Sequence, residues 1–494
     1  MEVSRQPGKP RTIYKLGGWG PQNGYEVHNN DVKTLYRAVA ERVFYVKGEE
    51  GFVEPPLPKE NHYKTTCMPF LKAIAHLLPV ISPIEKDQFP LYYKGRRQTI
   101  YQQAVDSLKS KLVNKKDSVI RPFVKAEKID FLKKSDPSPR LIQPRDPRYN
   151  VEVGIFIKPI EHPIYRAIAE LYGDTTVMKS LNASQVGQIF KNKWDLFTDP
   201  IAFGLDASRF DQHVSVDALK MEHLVYLSCF RGADRDRLSK LLKWQLNVDG
   251  IARCYDGSVR YKHAGGRMSG DMNTALGNCV IMCMLLYVYA LERQVNIRLA
   301  NNGDDCVVFC ERGDYGKLID GLFNWFLDMG FNMKIEEPCF VLEQIEFCQA
   351  HPVNVNGEYR MVRNCPISLA KDCVSLIALN NKKIFEKWKT AVGECGLALT
   401  SGVPVYQECY NSMIVKNVKP LQKDQFKDNG MFITCGDMSG GYEDVADETR
   451  VSFYLAFGIT PAHQIALEDH YKSSDFSYNN PVPVIINLGN TKLD

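Results

Sequence analysis

From Cys279 to Leu291 the chain runs thirteen residues without a charge, CVIMCMLLYVYAL. A segment like this needs shelter from water on every side, either as the central helix of a large core or as a membrane span. Thirteen residues fall short of the roughly 18 to 20 that cross a bilayer. The first residues, MEVSRQPGKPRTIYK, contain no apolar signal core. The expectation is therefore a buried helix in a chain that neither spans a membrane nor is secreted. A chain of 494 residues is long enough to build the core around it, as two or three domains or one multi-lobed enzyme. With 44% apolar and 24% charged residues, the composition argues against wholesale disorder. The fourteen cysteines are scattered, form no C-x-x-C pair and often sit in apolar stretches, as do Cys279, Cys283, Cys306 and Cys310. They read as reduced packing residues rather than disulfides or zinc ligands.

Polar residues at both ends of the apolar run carry the chemistry. Before it stands SGDMNTALGN, in which Ser269, Gly270, Thr274 and Asn278 are spaced 0, 1, 5 and 9. A serine cap explains Ser269 but not Asn278, more than two turns into the helix. After it stands IRLANNGDDCVVFC, two strand-like halves around a polar turn, which reads as a hairpin with Asp304 and Asp305 at its tip. Upstream, IAFGLDASRFD begins with alternating apolar residues and runs into Asp206, Arg209 and Asp211. If its strand lies beside the hairpin, Asp206 meets an aspartate pair that starts 98 residues later. Carboxylates held this close repel one another unless a cation neutralises them, and Mg²⁺ is the natural hard, oxygen-liganded choice. Two such ions can serve an in-line phosphoryl displacement. Each acidic piece alone is no more than a solvated turn; the set of three in this order is what points to metal-dependent chemistry.

Net charge is only +4, but it is unevenly placed. Residues 94 to 148 hold fifteen Lys and Arg against six acids, which leaves the remainder net acidic. A basic lobe beside a carboxylate lobe suits an enzyme that handles a polyanion. Residues 105 to 117 alone would be a solvated Lys-rich helix, whereas from Arg121 to Arg148 the cations alternate with Pro, Phe, Val, Leu and Ile.

Elsewhere the pattern predicts an irregular first 60 residues, a helix over 161–172 and two helices within 216–246 broken near Gly232. It predicts a hairpin with an Asp-Gly turn over 252–262 and one amphipathic helix over KLIDGLFNWFLDMGF ended by Gly330. Short strands follow around 332–334 and 345–349, then a mainly helical 367–415 and an irregular remainder.

Taken in order, LDASRFD, SGDMNTALGN and NGDD resemble motifs A, B and C of viral RNA-dependent RNA polymerases. The segment PFVKAEKIDFLKKSDPSPRLIQPRDPRYNVEVG is similar to the basic finger motif of tombusvirus-family polymerases, and Lys334 and EFCQ resemble motifs D and E. The resemblance implies an α+β right hand closed from fingers to thumb, its palm an antiparallel sheet backed by helices. The expected divisions are an N-terminal arm and fingers over 1–200, palm over 201–211, fingers over 212–263, palm over 264–362, and thumb and tail over 363–494. It implies two Mg²⁺ ions, with Mn²⁺ able to replace them, on Asp206 and Asp304, with Asp305 a secondary carboxylate. Asp211 and Asn278 would read the ribose 2′-hydroxyl, with Ser269 and Thr274 holding that network and Gly270 letting the loop flex. Arg140 would meet the triphosphate, aided by Lys125, Lys128 and Arg145. Lys334 would donate a proton to pyrophosphate, and Glu346, Phe347 and Cys348 would support the nascent RNA 3′ end. His213 reads as structural.

The activity so implied is templated transfer of a ribonucleotide to an RNA 3′-hydroxyl, started without a primer, with template and product RNA and ribonucleoside triphosphates as partners. In this family the polymerase is commonly the extension of a shorter membrane-associated replication protein. That implies an auxiliary viral partner, host factors, and a place on membrane-bound replication complexes in the host cytoplasm. Two rivals remain. Asp211 and Asn278 argue against a reverse transcriptase, and the intact motif set argues against a non-catalytic RNA scaffold.

Overall fold

The computed structural model describes residues 1–4, 10–16, 24–422, 425, 431, 435–436, 438–474 and, for the backbone only, 482–485. Of the Gly-rich LGGWGP stretch only Leu16 falls within them, and the tail after Thr434 does so in part. The elements that position the site are α1 (Pro147–Tyr172), α2 (Ala183–Trp194), β1 (Pro200–Ala207) and α3 (Val216–Ser228). After them come β2 (Asn247–Cys254), β3 (Gly257–Ala264), α4 (Thr274–Arg293), β4 (Arg298–Asn302), β5 (Asp305–Glu311) and β6 (Met333–Ile335). A second hairpin, β7 (Ala350–Val355) and β8 (Glu358–Arg363), precedes α5 (Lys382–Thr400) and α6 (Tyr406–Met413). The chain is thus a mixed helix and strand protein.

Four strands make the central sheet in the order β4-β5-β1-β6, every neighbouring pair antiparallel. Alternate side chains of a strand face opposite sides, and here both sides are covered. Ile201, Phe203, Leu205, Cys306 and Val308 face a core built on α1, α3 and α4, while Ala202, Ala300, Val307 and Phe309 face a second core that includes α2, β7, α5 and α6. Helix α4 is twenty residues, longer than its apolar run, and by length and composition alone it could cross a membrane. However, 78% of its apolar window is buried inside the fold. All fourteen cysteines are free thiols and most are buried, so they act as packing residues.

Several elements differ from the sequence pattern. Helix α1 begins at Pro147 with Asp146 accepting from the Arg148 backbone amide, and it runs through Pro159 and Pro163. Buried apolar side chains through both halves hold the helix across two residues that would break an exposed one. The single helix expected over 317–331 is replaced by two, Arg312–Ile319 and Leu322–Asp328, because Gly321 takes a positive φ of 73° between them. The turn of the β2–β3 hairpin is Tyr255-Asp256, one residue earlier than Asp-Gly. Gly257 is instead a strand residue, where a Cβ would lie 2.2 Å from the Glu2 carbonyl oxygen. Residues 345–349 form no strand: Cys348 and Gln349 both have positive φ, making a tight turn before β7. The C-terminal region expected to be irregular holds two helices, Asp447–Phe457 and Pro461–Ser473.

The N-terminal residues form short strands that tie distant parts together. Thr12–Lys15 pairs with Val374–Ser375 and with Val482–Ile485, Glu2–Val3 pairs with β3, and Tyr25–Glu26 pairs with Ile129–Asp130.

Candidate active site

The sheet itself aligns the charged residues. Asp206 is the residue opposite Asp305 in the β1–β5 ladder and opposite Lys334 in the β1–β6 ladder. Residues directly opposite in antiparallel strands project from the same face, so Asp305, Asp206 and Lys334 form one row. On that face the preceding rows are Phe309 beside Ala202 and Val307 beside Gly204, so apolar cover ends where the carboxylates begin. Asp304 lies in the two-residue turn between β4 and β5. Gly303, at φ 96°, makes that turn possible, and Asn301, wholly buried, braces it by accepting from the Gly303 amide and donating to the Gly303 carbonyl at 2.7 Å.

The turn is crowded with negative charge. Desolvation, then Asp304 and Asp206, push the Asp305 carboxyl above the ordinary carboxylate range, against a hydrogen bond donated by Cys348 Sγ at 3.5 Å. Glu336, which the sequence reading did not single out, joins this group. A Cβ on Gly204 would lie 2.0 Å from its Oε2, so the absence of a side chain there is what admits it. Desolvation and Glu346 push Glu336 up in turn. Among the described residues neither Asp206 nor Asp304 has an ion-pair partner. The donor set, all hard carboxylate oxygens with unbalanced charge, fits a divalent cation such as Mg²⁺. Among the described residues no three His, Cys, Asp or Glu side chains converge closely enough to hold an ion as they stand.

Helix α4 brings the second polar group to the same place. Asn278 lies against the Gly303 turn, and its Nδ2 donates to Asp211 Oδ1 at 3.0 Å. Burial raises the Asp211 carboxyl, with Asp304 adding to the shift while Asn278 and Arg267 oppose it. Ser269 Oγ accepts from the Gln143 amide at 3.0 Å, and Thr274 Oγ1 donates to the Met268 carbonyl at 2.6 Å. Gly270 serves close approach: a Cβ would lie 2.5 Å from Pro144 Cα. These contacts fasten the loop before α4 to the basic segment.

That segment borders a cleft of about 940 Å³ whose lining includes Arg42, Lys128, Arg140, Asp206, Arg209 and Lys371. The cleft therefore joins a carboxylate of the sheet to a set of cations. Arg140 is exposed and shares Glu127 with Lys125, at 3.2 and 3.0 Å. Arg42 is an addition that the sequence reading missed, and Arg209, seen there only as part of LDASRFD, joins it. Burial, then Arg209 and Arg140, lower the Arg42 guanidinium to about 10, with Glu127 and Glu41 opposing only in part, the mark of three cations crowded together. Arg209 takes a left-handed φ of 52°, and its guanidinium is held by the carbonyls of Glu41 and Tyr45, on and just after a single π-helical turn, Ala40–Phe44.

Two expected site residues, Arg145 and Phe347, face inward, and a third, Lys128, is nearly buried at the edge of the cleft. Arg145 is buried in an ion pair with Asp271 and donates to the Ser118 carbonyl at 2.6 Å, which anchors the loop but leaves no arm for a ligand. Lys128 is 7% exposed, its Nζ donating to the Lys371 carbonyl at 3.3 Å. Phe347 is a core residue, 5% exposed and packed on Phe190, so it presents no surface to RNA. Its neighbours are placed otherwise: Glu346 is exposed, and Cys348 Sγ accepts from Asn302 beside the aspartate turn. His213, with Nδ1 bonded to the Arg209 carbonyl and its ring against Phe331, is a packing residue.

Residues 2–479, nearly the whole chain, match the viral RNA dependent RNA polymerase family. The chain belongs to that family. It is 41% identical over 97% of its length to the RNA-directed RNA polymerase of Tobacco necrosis virus (strain A), covering 66% of that protein. To the RNA-directed RNA polymerase of Turnip crinkle virus it is 43% identical over 94% of its length, covering 60%. For that of Maize chlorotic mottle virus the figures are 41%, 94% and 48%. The chain thus spans about half to two thirds of the length of these curated relatives, which are tombusvirid polymerases.

Proposed function

We propose that this chain carries the RNA-dependent RNA polymerase activity of a plant virus replicase, copying an RNA template from ribonucleoside triphosphates. The observation that carries the reading is the row Asp305–Asp206–Lys334 across the sheet, with Asp304 in the adjoining turn and the Asp211–Asn278 pair beside it. In this reading β1, β4, β5 and β6 belong to the palm (201–211 and 264–362), residues 1–200 and 212–263 to an arm and fingers, and 363–494 to the thumb and tail.

Asp206 and Asp304, with Asp305 in a secondary place, would close on two divalent cations. When bound, these ions would activate the RNA 3′-hydroxyl for attack on the α-phosphorus and stabilise the leaving pyrophosphate oxygen. Arg140, Arg42 and Arg209 receive the triphosphate, since forked guanidinium donors match phosphate oxygens. Asp211 and Asn278 accept and donate to the ribose 2′-hydroxyl, a group that deoxyribonucleotides lack. Lys334, next to Asp206, supplies a proton to the departing pyrophosphate. Cys348 and Glu346, on the turn before β7, lie where the growing 3′ end would rest. Initiation without a primer, a membrane-associated auxiliary viral protein, host factors and a site on cytoplasmic replication membranes complete the proposal. They are supported by the family alone.

The test is direct. Purified protein with RNA template, four ribonucleotides and Mg²⁺ should yield labelled RNA, and Asp304→Ala should remove it. Product undiminished in that variant would refute the metal-binding role. Equal use of deoxyribonucleotides would favour a reverse transcriptase, and no incorporation by the unaltered chain a scaffold.

A further inference from the structure

Behind the Asp211–Asn278 pair lies a buried polar chain that the proposed chemistry does not use. Asn278 Oδ1 accepts from Arg267 Nε at 3.0 Å, and Arg267 Nη2 is bonded to Glu222 Oε2, with neither side chain exposed at all. The other Glu222 oxygen accepts from Tyr226 OH and from Asn273 Nδ2, each at 2.7 Å, and Asn273 Oδ1 accepts from Gln245 at 2.9 Å. The Arg267 backbone amide also donates to the Asp211 carbonyl at 2.7 Å. Arg267 therefore grips both members of the pair, one through its side chain and one through its main chain.

This arrangement has a chemical consequence. An amide side chain can present either its oxygen or its nitrogen, and only its neighbours decide which. Arg267 is purely a donor, so it claims Oδ1 of Asn278 and turns Nδ2 towards Asp211. Burying a charged pair without exposure is costly and is not needed for a core, since apolar residues of the same volume serve at least as well. Gly277 shows how closely the chain is fitted: a Cβ there would lie 2.4 Å from both Arg267 Nη2 and Glu222 Oε1.

We propose that Arg267, held by Glu222, is a positioning residue for sugar selection: it fixes the Asn278 amide so that the pair recognises a ribose 2′-hydroxyl. The inference rests on the polymerase reading above. Arg267→Lys keeps a cation for Glu222 but removes the Nε donor to Asn278. The measurement is kcat/KM for CTP over dCTP on an RNA template, with 3′-deoxy-CTP, which retains the 2′-hydroxyl, as the control.

The CTP/dCTP ratio is expected to fall about five- to tenfold, the worth of one hydrogen bond, while the CTP/3′-deoxy-CTP ratio stays constant. Combining Arg267→Lys with Asn278→Ala should cost selectivity no more than Asn278→Ala alone, because the two act through one bond. Glu222→Gln, which keeps the shape and loosens the arginine, should move the same ratio. If Arg267→Lys does not fold, as judged by thermal unfolding, Glu222→Gln decides. A folded variant that slows CTP and dCTP equally overturns the inference and leaves the polymerase reading intact. Absence of templated incorporation by the unaltered chain removes that reading instead.

Discussion

Two arginines and a lysine show how burial alters the meaning of a charge. In the sequence Arg145 and Arg267 are cations near a phosphate-handling motif; in the fold both are enclosed, each bound to a single acid, Asp271 or Glu222. Lys193 on α2 is enclosed as well, 1% exposed and 2.6 Å from Asp174. Desolvation lowers its pKa from the model-compound 10.5 to about 8, with Asp174 opposing the shift. The unfolded chain therefore holds a proton on this lysine from about pH 8 to 10.5 that the folded chain has released. Stability linked to Lys193 must then rise with pH across that window and be lost as pH falls through 8. Lys193→Met should remove that part of the slope. Urea midpoints of both proteins at pH 7.5 and 9.5 check it, and equal pH dependence in the two would contradict the buried-charge account.

At the scale of elements, glycine contacts make predictions of opposite sign. Gly187 lies in α2 where the helix meets β8, and a Cβ would fall 2.5 Å from the Tyr359 carbonyl oxygen and 2.6 Å from Arg360 Cα. Alanine gains about 1 kcal/mol of helix propensity, but the opposing atoms are backbone and cannot swing aside. Overpacking of about 1–3 kcal/mol should win, and Gly187→Ala should unfold at lower denaturant. Gly316, in the helix Arg312–Ile319, has nothing within 4 Å of that position, so Gly316→Ala should stabilise by about 0.5–1 kcal/mol. Denaturant unfolding of the two variants decides both signs.

The same physics sets what was legible. Strand β1, helix α4 and the β4–β5 hairpin could be read because local pattern and turn chemistry agreed with the fold. The pairing of Asp206 with Asp305 could be anticipated as an aspartate cluster, but not as a register. The roles of Gly187, Gly257 and Gly277 could not be read, since their need arises from partners far along the chain. The placement of Arg145 and Phe347 was missed for a related reason: composition records that a residue is charged or aromatic, not which side of a wall it faces. Arg42 and Glu336 carried no motif at all, and Arg209, though inside LDASRFD, showed no sign of facing a cleft. A glycine two residues before Asp206 was the one local hint that a side chain from elsewhere comes to rest there.

Across the whole molecule, the N-terminal segment joins regions far apart in the chain. Arg11 donates to the carbonyls of His28 and Val124 at 2.9 and 2.8 Å, and Tyr25–Glu26 pairs with Ile129–Asp130, beside the basic wall of the cleft. Thr12–Lys15 meanwhile pairs with Val374–Ser375, in the part of the chain assigned to the thumb, and Glu2–Val3 with the β2–β3 hairpin. Removing residues 1–26 would delete three strands and leave their partners as open edges. The carboxylate sheet, built from residues 200–335, would lose no strand. The deletion should therefore lower the thermal midpoint and raise KM for ribonucleotides several-fold, as the cation-lined wall loses its brace, with kcat less affected. Mg²⁺-dependent incorporation assays on the full and shortened chains, with unfolding curves for both, make the comparison. An unchanged KM together with an unchanged midpoint would mean that these strands decorate the fold without holding the cleft. A loss confined to kcat would place their effect on the sheet instead.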